Sequence, residues 1–154
     1  MDSKVMMTSL LGGALGGLGS MALYCLWKHH TARPTEIVRL RTEDPRASSI
    51  VIHQGVVRLS GQVGEIGNLG SSDLQQQTRE TLAKIERLLQ EAGTSKSRIL
   101  EARIWLKDIR SDFAAMNEIW NGWVDPACKG TRYCVEAALA REALLVEIQV
   151  VAAV

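Results

Sequence analysis

The sequence predicts an α+β fold, a mixed sheet with two helices packed on one of its faces. Three observations lead there. Short β-branched or alternating runs stand at 36–41, 49–53, 56–60, 99–106, 131–137 and 145–150, with the two-residue period of strands. Two stretches with helical period lie between them, around 72–92 and 111–123. The resulting order of strands, helix, strand, helix and two strands sorts the elements into two layers. The chain has 154 residues, 46% of them hydrophobic, enough for one buried core. Its net charge of +1 gives no support for nucleic acid as a partner, which requires a basic surface.

The first strand, 36–41, alternates weakly. The runs 49–53 and 56–60 are joined by Gln54-Gly55, a hairpin signal. Gly61, Gly64, Gly67 and Gly70 then mark a loop with GxxG spacing. It lacks the Gly-Lys-Ser/Thr of a phosphate loop, so a flexible connection is expected. Ser72, with Gln75 three residues on, is the expected cap of the first helix. Leu74, Thr78, Leu82, Ile85, Leu88, Leu89 and Ala92 form its apolar stripe, and Gly93 stands where a C-terminal cap belongs. In 99–106, alternation puts Leu100, Ala102, Ile104 and Leu106 on one face. The second helix is expected to start at Ser111 or Asp112, to carry Phe113, Met116, Trp120 and Trp123 on one stripe, and to end at Asp125-Pro126.

The closing strands carry ionisable groups where a strand packs. Arg132, Cys134 and Glu136 share one face, and Tyr133, Val135 and Ala137 the other. In the last strand Val146 and Ile148 face one way, Glu147 and Gln149 the other. Arg132 and Glu147 read either as a binding and catalytic pair or as solvated charges on a half-exposed sheet. If the two strands formed a simple hairpin, Glu147 would lie opposite Ala137. Arg132 would then be about 17 Å away along the strand. For the pair to act on one small substrate, the strands must not be neighbours, or the two residues must come from different subunits. Apolar residues on both faces of 146–151 favour burial by partners.

Residues 1–34 differ from the rest. No charged side chain occurs from 5 to 27; as a helix this run would be about 34 Å long, enough to span a bilayer. Lys28, His29, His30 and Arg33 follow it, so a membrane anchor is expected, with the 35–154 domain facing the cytosol or an organelle interior. A cleaved signal peptide, an organelle-targeting segment, a glycine-rich extension and a start at Met21 remain as alternatives; the last ones leave a soluble cytoplasmic or mitochondrial protein. Cys25, Cys128 and Cys134 form no CxxC motif, and no His or Cys has zinc-ligand spacing, so no metal site is expected.

The soluble part resembles the reactive-intermediate deaminase (Rid, or YjgF) family. The motifs that carry the resemblance are Ser60-Gly61-Gln62, Asp112-Phe113-Ala114-Ala115-Met116-Asn117, Arg132-Tyr133-Cys134-Val135-Glu136, and Val146-Glu147-Ile148 with the Ala152-Ala153-Val154 ending. The surroundings of Lys96–Leu100 and Trp123-Val124 look closest to the YoaB-like branch. The resemblance implies a homotrimer of chorismate-mutase-like fold with ligand clefts between subunits. It implies hydrolysis of enamines and imines such as 2-aminoacrylate or 2-iminopropanoate to 2-keto acids and ammonia, with no metal or organic cofactor. A non-catalytic module of the same fold, binding a small carboxylate or a protein, is the alternative. Arg132 matches the arginine that binds the substrate carboxylate. Glu147 matches the glutamate that positions or activates water, and Cys134, Ser60, Gly61 and Asn117 match positions lining the cleft. Two departures stand out. The family's Gly-Pro-Tyr turn is replaced by Asp44-Pro45-Arg46-Ala47-Ser48, without an aromatic, and no proline precedes Arg132. Ribonuclease activity, also ascribed to this family, finds no histidine pair or basic stripe here.

Overall fold

The structure, a computed structural model, describes residues 36–154. Its strands are β1 (Val38–Leu40), β2 (Ile50–His53), β3 (Val56–Leu59), β4 (Ile99–Leu106), β5 (Thr131–Glu136) and β6 (Val146–Ala153). Helix α1 (Leu74–Glu91) lies between β3 and β4, and α2 (Ile109–Trp123) between β4 and β5. The six strands form one sheet in the order β1-β2-β3-β6-β4-β5. Every pairing is antiparallel except β4 with β5, which is parallel. That exception follows from α2, because a parallel neighbour needs a long crossover.

One face of the sheet carries the core. Ile50, Val57, Leu59, Ala102, Ile104, Leu106, Val146, Ile148, Val150 and Ala152 are buried with Leu82, Ile85 and Leu89 of α1 and Met116 and Trp120 of α2. Truncating a fully buried member such as Ile104 to Ala should cost about 2–5 kcal/mol. The other face holds the alternating set, and its Tyr133 and Val135 are exposed. β5 is an edge strand, so one side of its backbone has no ladder partner among the described residues.

Several sequence expectations shift in detail. β1 is shorter than 36–41, because only Val38–Leu40 pair with β2 and Arg41 turns out of the extended region at φ 53°. Asp73, not Ser72, caps α1, accepting from the Gln76 amide at 2.8 Å, whereas the Ser72 hydroxyl donates to the Asn68 carbonyl. Gly93 does adopt the left-handed conformation of a C-terminal cap, at φ 76°. In β4 a register shift between Ile99 and Glu101 exposes Leu100 and puts Ile99 in the core instead. One extra residue reverses sidedness, which strict alternation does not foresee. Helix α2 starts at Ile109, two or three residues earlier than expected: Asp108 caps it, accepting from the amides of Arg110 and Ser111. Phe113 is exposed rather than part of the buried stripe. β6 extends beyond Val150 to Ala153. The glycine-spaced loop is pinned to α1: Lys84 donates to the carbonyls of Val63 and Gly64, and Glu80 accepts from the Glu65 amide and the Asn68 side chain.

The expected transmembrane anchor needs correction. Among the described residues no helix is long and apolar enough to cross a membrane. The longest, α1, carries Arg79, Glu80, Lys84, Glu86 and Arg87 along its outer side. The 5–27 segment on which the anchor was placed lies outside the described residues.

Candidate functional site

Ladder partners point to the same side of a sheet. Arg132 pairs with Ala102, which pairs with Val150, and Cys134 pairs with Ile104. All three partners are buried beneath the helices, so Arg132 and Cys134 lie on the helix side of edge strand β5. There Arg132 Nη1 donates to Asn117 Oδ1 at 2.7 Å, and the guanidinium carbon sits 5.3 Å from the centroid of the Trp120 ring. Asn117 reaches it because α2, returning across the sheet, turns the same side to β5 as Trp120 three residues on. One terminal nitrogen is used by Asn117 and one guanidinium face by Trp120. Nε and the other terminal nitrogen make no hydrogen bond among the described residues, and this is the edge a carboxylate engages bidentately. Cys134 is half-buried, and burial raises its thiol pKa, with Arg132 pulling the other way.

Glu147 pairs with Trp105 and therefore lies on the opposite face. Gly61 stands against it. β3 pairs Arg58 with Val151, whereas the isolated bridge beyond it pairs Gln62 with Ile148. The register thus slips by one residue between Leu59 and Gln62, a bulge that re-aims the backbone around Gly61. A Cβ at Gly61 would overlap Glu147 Oε1 and lie 2.9 Å from Cδ, so only glycine admits the carboxylate in this position. Ser60 adjoins it, its hydroxyl accepting from Gln62 Nε2 at 2.9 Å. Burial alone raises the Glu147 carboxyl above its ordinary range. A raised carboxylate is a better proton acceptor near neutral pH than a solvated one.

The structure therefore sorts the six residues singled out in the sequence into two groups. Arg132, Asn117 and Cys134 gather on the helix side of β5, and Ser60, Gly61 and Glu147 gather around the opposite face of β6. The strands carrying Arg132 and Glu147 are not neighbours, since β4 lies between them. The hairpin geometry is excluded, and within one chain the two groups do not face a common space.

Two further residues support these groups. Trp120, expected as plain core, also covers the Arg132 guanidinium. Gln77 is fully buried. Its amide donates to the carbonyls of Ser72 and Ala143, and its oxygen accepts from the Leu145 backbone amide, which ties α1 to the segment entering β6 two residues before Glu147. The signal for it was available: a glutamine next to Thr78 on an otherwise apolar stripe needs buried partners. The segment in place of the family's tyrosine turn is exposed, and Arg46 hydrogen-bonds Asp44 and holds its carboxyl down to about 2. Among the described residues no cluster of three His, Cys, Asp or Glu could hold a metal ion.

Residues 40–154 match the family model described as Endoribonuclease L-PSP. The chain is 40% identical over 118 residues to the RutC family protein YoaB of Escherichia coli, covering 77% of this chain and 98% of that one. Its fold superimposes on a YjgF-family protein of Neisseria meningitidis with a TM-score of 0.71 at 39% identity, covering 77% of this chain and 95% of the other. A YjgF/YER057c/UK114 family member from Mycobacterium tuberculosis gives 0.67 at 26% identity over 77% of this chain and all of that one. With the motifs, the strand order and these relatives in agreement, the chain belongs to the YjgF/Rid family.

Proposed function

We propose that the protein hydrolyses short 2-imino acids and their enamine tautomers to 2-keto acids and ammonia, in clefts formed between copies of a homotrimer. The observation that carries this reading is the division of the matched residues into two preformed groups. An arginine held by Asn117 and Trp120 lies on one face, and a half-buried carboxylate seated against Gly61 lies on the other. Each group is half of a site, and apposing the Arg132 side of one copy to the Glu147 side of the next completes it. The exposed Tyr133 and Val135 and the open edge of β5 offer the surface such an assembly would cover.

The chemistry follows from the residues. The free edge of Arg132 binds the substrate carboxylate in two charge-assisted bonds. The protonated imine carbon is already electrophilic. Glu147 takes a proton from water as its oxygen bonds to that carbon, giving a carbinolamine. Glu147 returns the proton to nitrogen, making it a leaving group; as the C–N bond breaks, the carboxylate takes the hydroxyl proton, leaving the keto acid and ammonia, which carries that proton away as ammonium. Water and the iminium supply every atom, so no cofactor enters the scheme.

The replaced tyrosine turn at Asp44–Ser48 favours a second reading, a module of this fold that binds a carboxylate without turning it over. One experiment separates the two: turnover of enzymatically generated 2-iminopropanoate, with Arg132→Ala as control. Accelerated loss of the imine that the substitution lowers about tenfold or more supports the enzyme. Carboxylate binding without acceleration supports the module.

A further inference from the structure

We propose that the cleft between the segment following β1 and helix α1 binds a small oxyanion of the phosphate class. This cleft, about 240 Å3, is lined by Arg41, Ser49, Gln62, Lys84, Arg87 and Leu88, which include three cations and no carboxylate. Arg41 is built toward it. Its φ of 53° is left-handed, a conformation unfavourable for a residue with a Cβ. The other non-glycine residue with positive φ among those described, Gln54, is accounted for by its hairpin turn. Arg41 has no such turn; its carbonyl accepts from the Ser49 amide at 3.1 Å and its Nε donates to Glu91 at 2.7 Å.

The donors left over suit an anion. The terminal nitrogens of Arg41 have no hydrogen-bond partner among the described residues. Arg87 makes only a loose contact with Glu65, at 3.9 Å. Lys84 contributes charge rather than donors, because its ammonium is held by the carbonyls of Val63 and Gly64 at 3.1 and 3.0 Å and lies 3.6 Å from Glu65. Glu91 and Glu65 touch these cations from outside the lining, so the local balance is one net positive charge. Two guanidinium forks around one cleft match the several oxygens of a tetrahedral oxyanion. The site is distinct from the one described above: Gln62 pairs with the core-facing Ile148, so the cleft opens on the helix side, away from Glu147, and Arg132 stands on the far edge strand. The inference does not rest on imine hydrolysis.

The test is a titration of the full chain with inorganic phosphate and, separately, phenyl phosphate at constant ionic strength. It is followed by backbone amide and arginine Nε–Hε resonances. Saturable shifts at Arg41, Ser49 and Arg87 are expected. Losing one charge-assisted contact in Arg87→Gln should weaken the apparent affinity about tenfold or more, while Arg132→Ala leaves it unchanged. Tighter binding of phenyl phosphate identifies a phosphate ester as the ligand, and tighter binding of inorganic phosphate identifies the free ion; either upholds the site. Non-saturating shifts, shifts reproduced by chloride, unaltered affinity in Arg87→Gln, or loss in Arg132→Ala would overturn it.

Discussion

Replacing Gly61 by Ala tests how closely the backbone holds Glu147. The added methyl overlaps Oε1 and lies 2.9 Å from Cδ and 3.3 Å from Cγ of Glu147. Gly61 is not among the residues with positive φ, so alanine meets no backbone strain. What must yield is the end of a flexible, half-exposed side chain. Overpacking a rigid core costs about 1–3 kcal/mol; here the carboxylate swings away, and the cost should be on the order of 1 kcal/mol or less. Activity should respond differently. A carboxylate displaced by about 1 Å from its working position loses roughly a hundredfold in rate, equivalent to about 2.7 kcal/mol of barrier. The assay pairs a denaturant melt with initial rates of 2-iminopropanoate hydrolysis. Gly67→Ala is the control, because nothing lies within 4 Å of a Cβ built there. The expected outcome is a nearly unchanged melt with a rate down about a hundredfold for Gly61→Ala, and neither effect for Gly67→Ala. Wild-type rates in Gly61→Ala would refute the placement of Glu147, and a collapse of stability would show that the backbone yields rather than the side chain.

Arg132→Ala should lower kcat/KM about ten- to hundredfold, the loss of a charge-assisted contact of roughly 1.5–3 kcal/mol, and Arg132→Lys should restore only part because an ammonium cannot bind bidentately; steady-state kinetics decide. Burial raises Glu147, so the folded state holds this proton more tightly than the unfolded chain. That stabilisation is complete below the unfolded value, near 4.3, and is lost as pH rises through the folded value. Glu147→Gln should therefore melt higher than wild type at pH 7 and alike below about pH 4, and the acid limb of wild-type kcat should fall above the ordinary carboxylate range; equal melts at both pH values would count against a desolvated carboxylate. Light scattering on the protein should return three times the chain mass, and a stable monomer would remove the cleft between copies.

Much of the fold was legible because its signals are local. The hairpin at Gln54-Gly55, the stripe from Leu74 to Ala92 and the cap at Gly93 depend on neighbours in sequence. What was missed depends on tertiary placement. The bulge that exposes Leu100 is one residue inserted against β6, which alternation within β4 cannot reveal. Phe113 has the right spacing for the core stripe, but α2 turns Met116 and Trp120 inward and leaves Phe113 out. The candidate site residues come from motifs, and their chemistry is readable as an arginine and a carboxylate. Their separation onto opposite faces was not, because it requires knowing that β4 intervenes between β5 and β6. The support from Trp120 and Gln77 was hidden for a similar reason: a stripe position shows that a side chain is inside, not what it touches there.

In the proposed trimer, Arg132 and Glu147 act on one substrate from two different copies of the chain. Mixing two impaired variants separates a shared cleft from two independent ones. Arg132→Ala and Glu147→Gln are unfolded together at equal concentration, refolded, and assayed for 2-iminopropanoate hydrolysis against each variant refolded alone. In a cyclic trimer every cleft joins unlike patches of adjacent copies, so random mixing leaves about a quarter of the clefts with an intact Arg132 facing an intact Glu147. A cleft shared between copies should return about a quarter of wild-type activity in the mixture, against about a tenth or less in either variant refolded alone. A mixture no more active than its two components would contradict it.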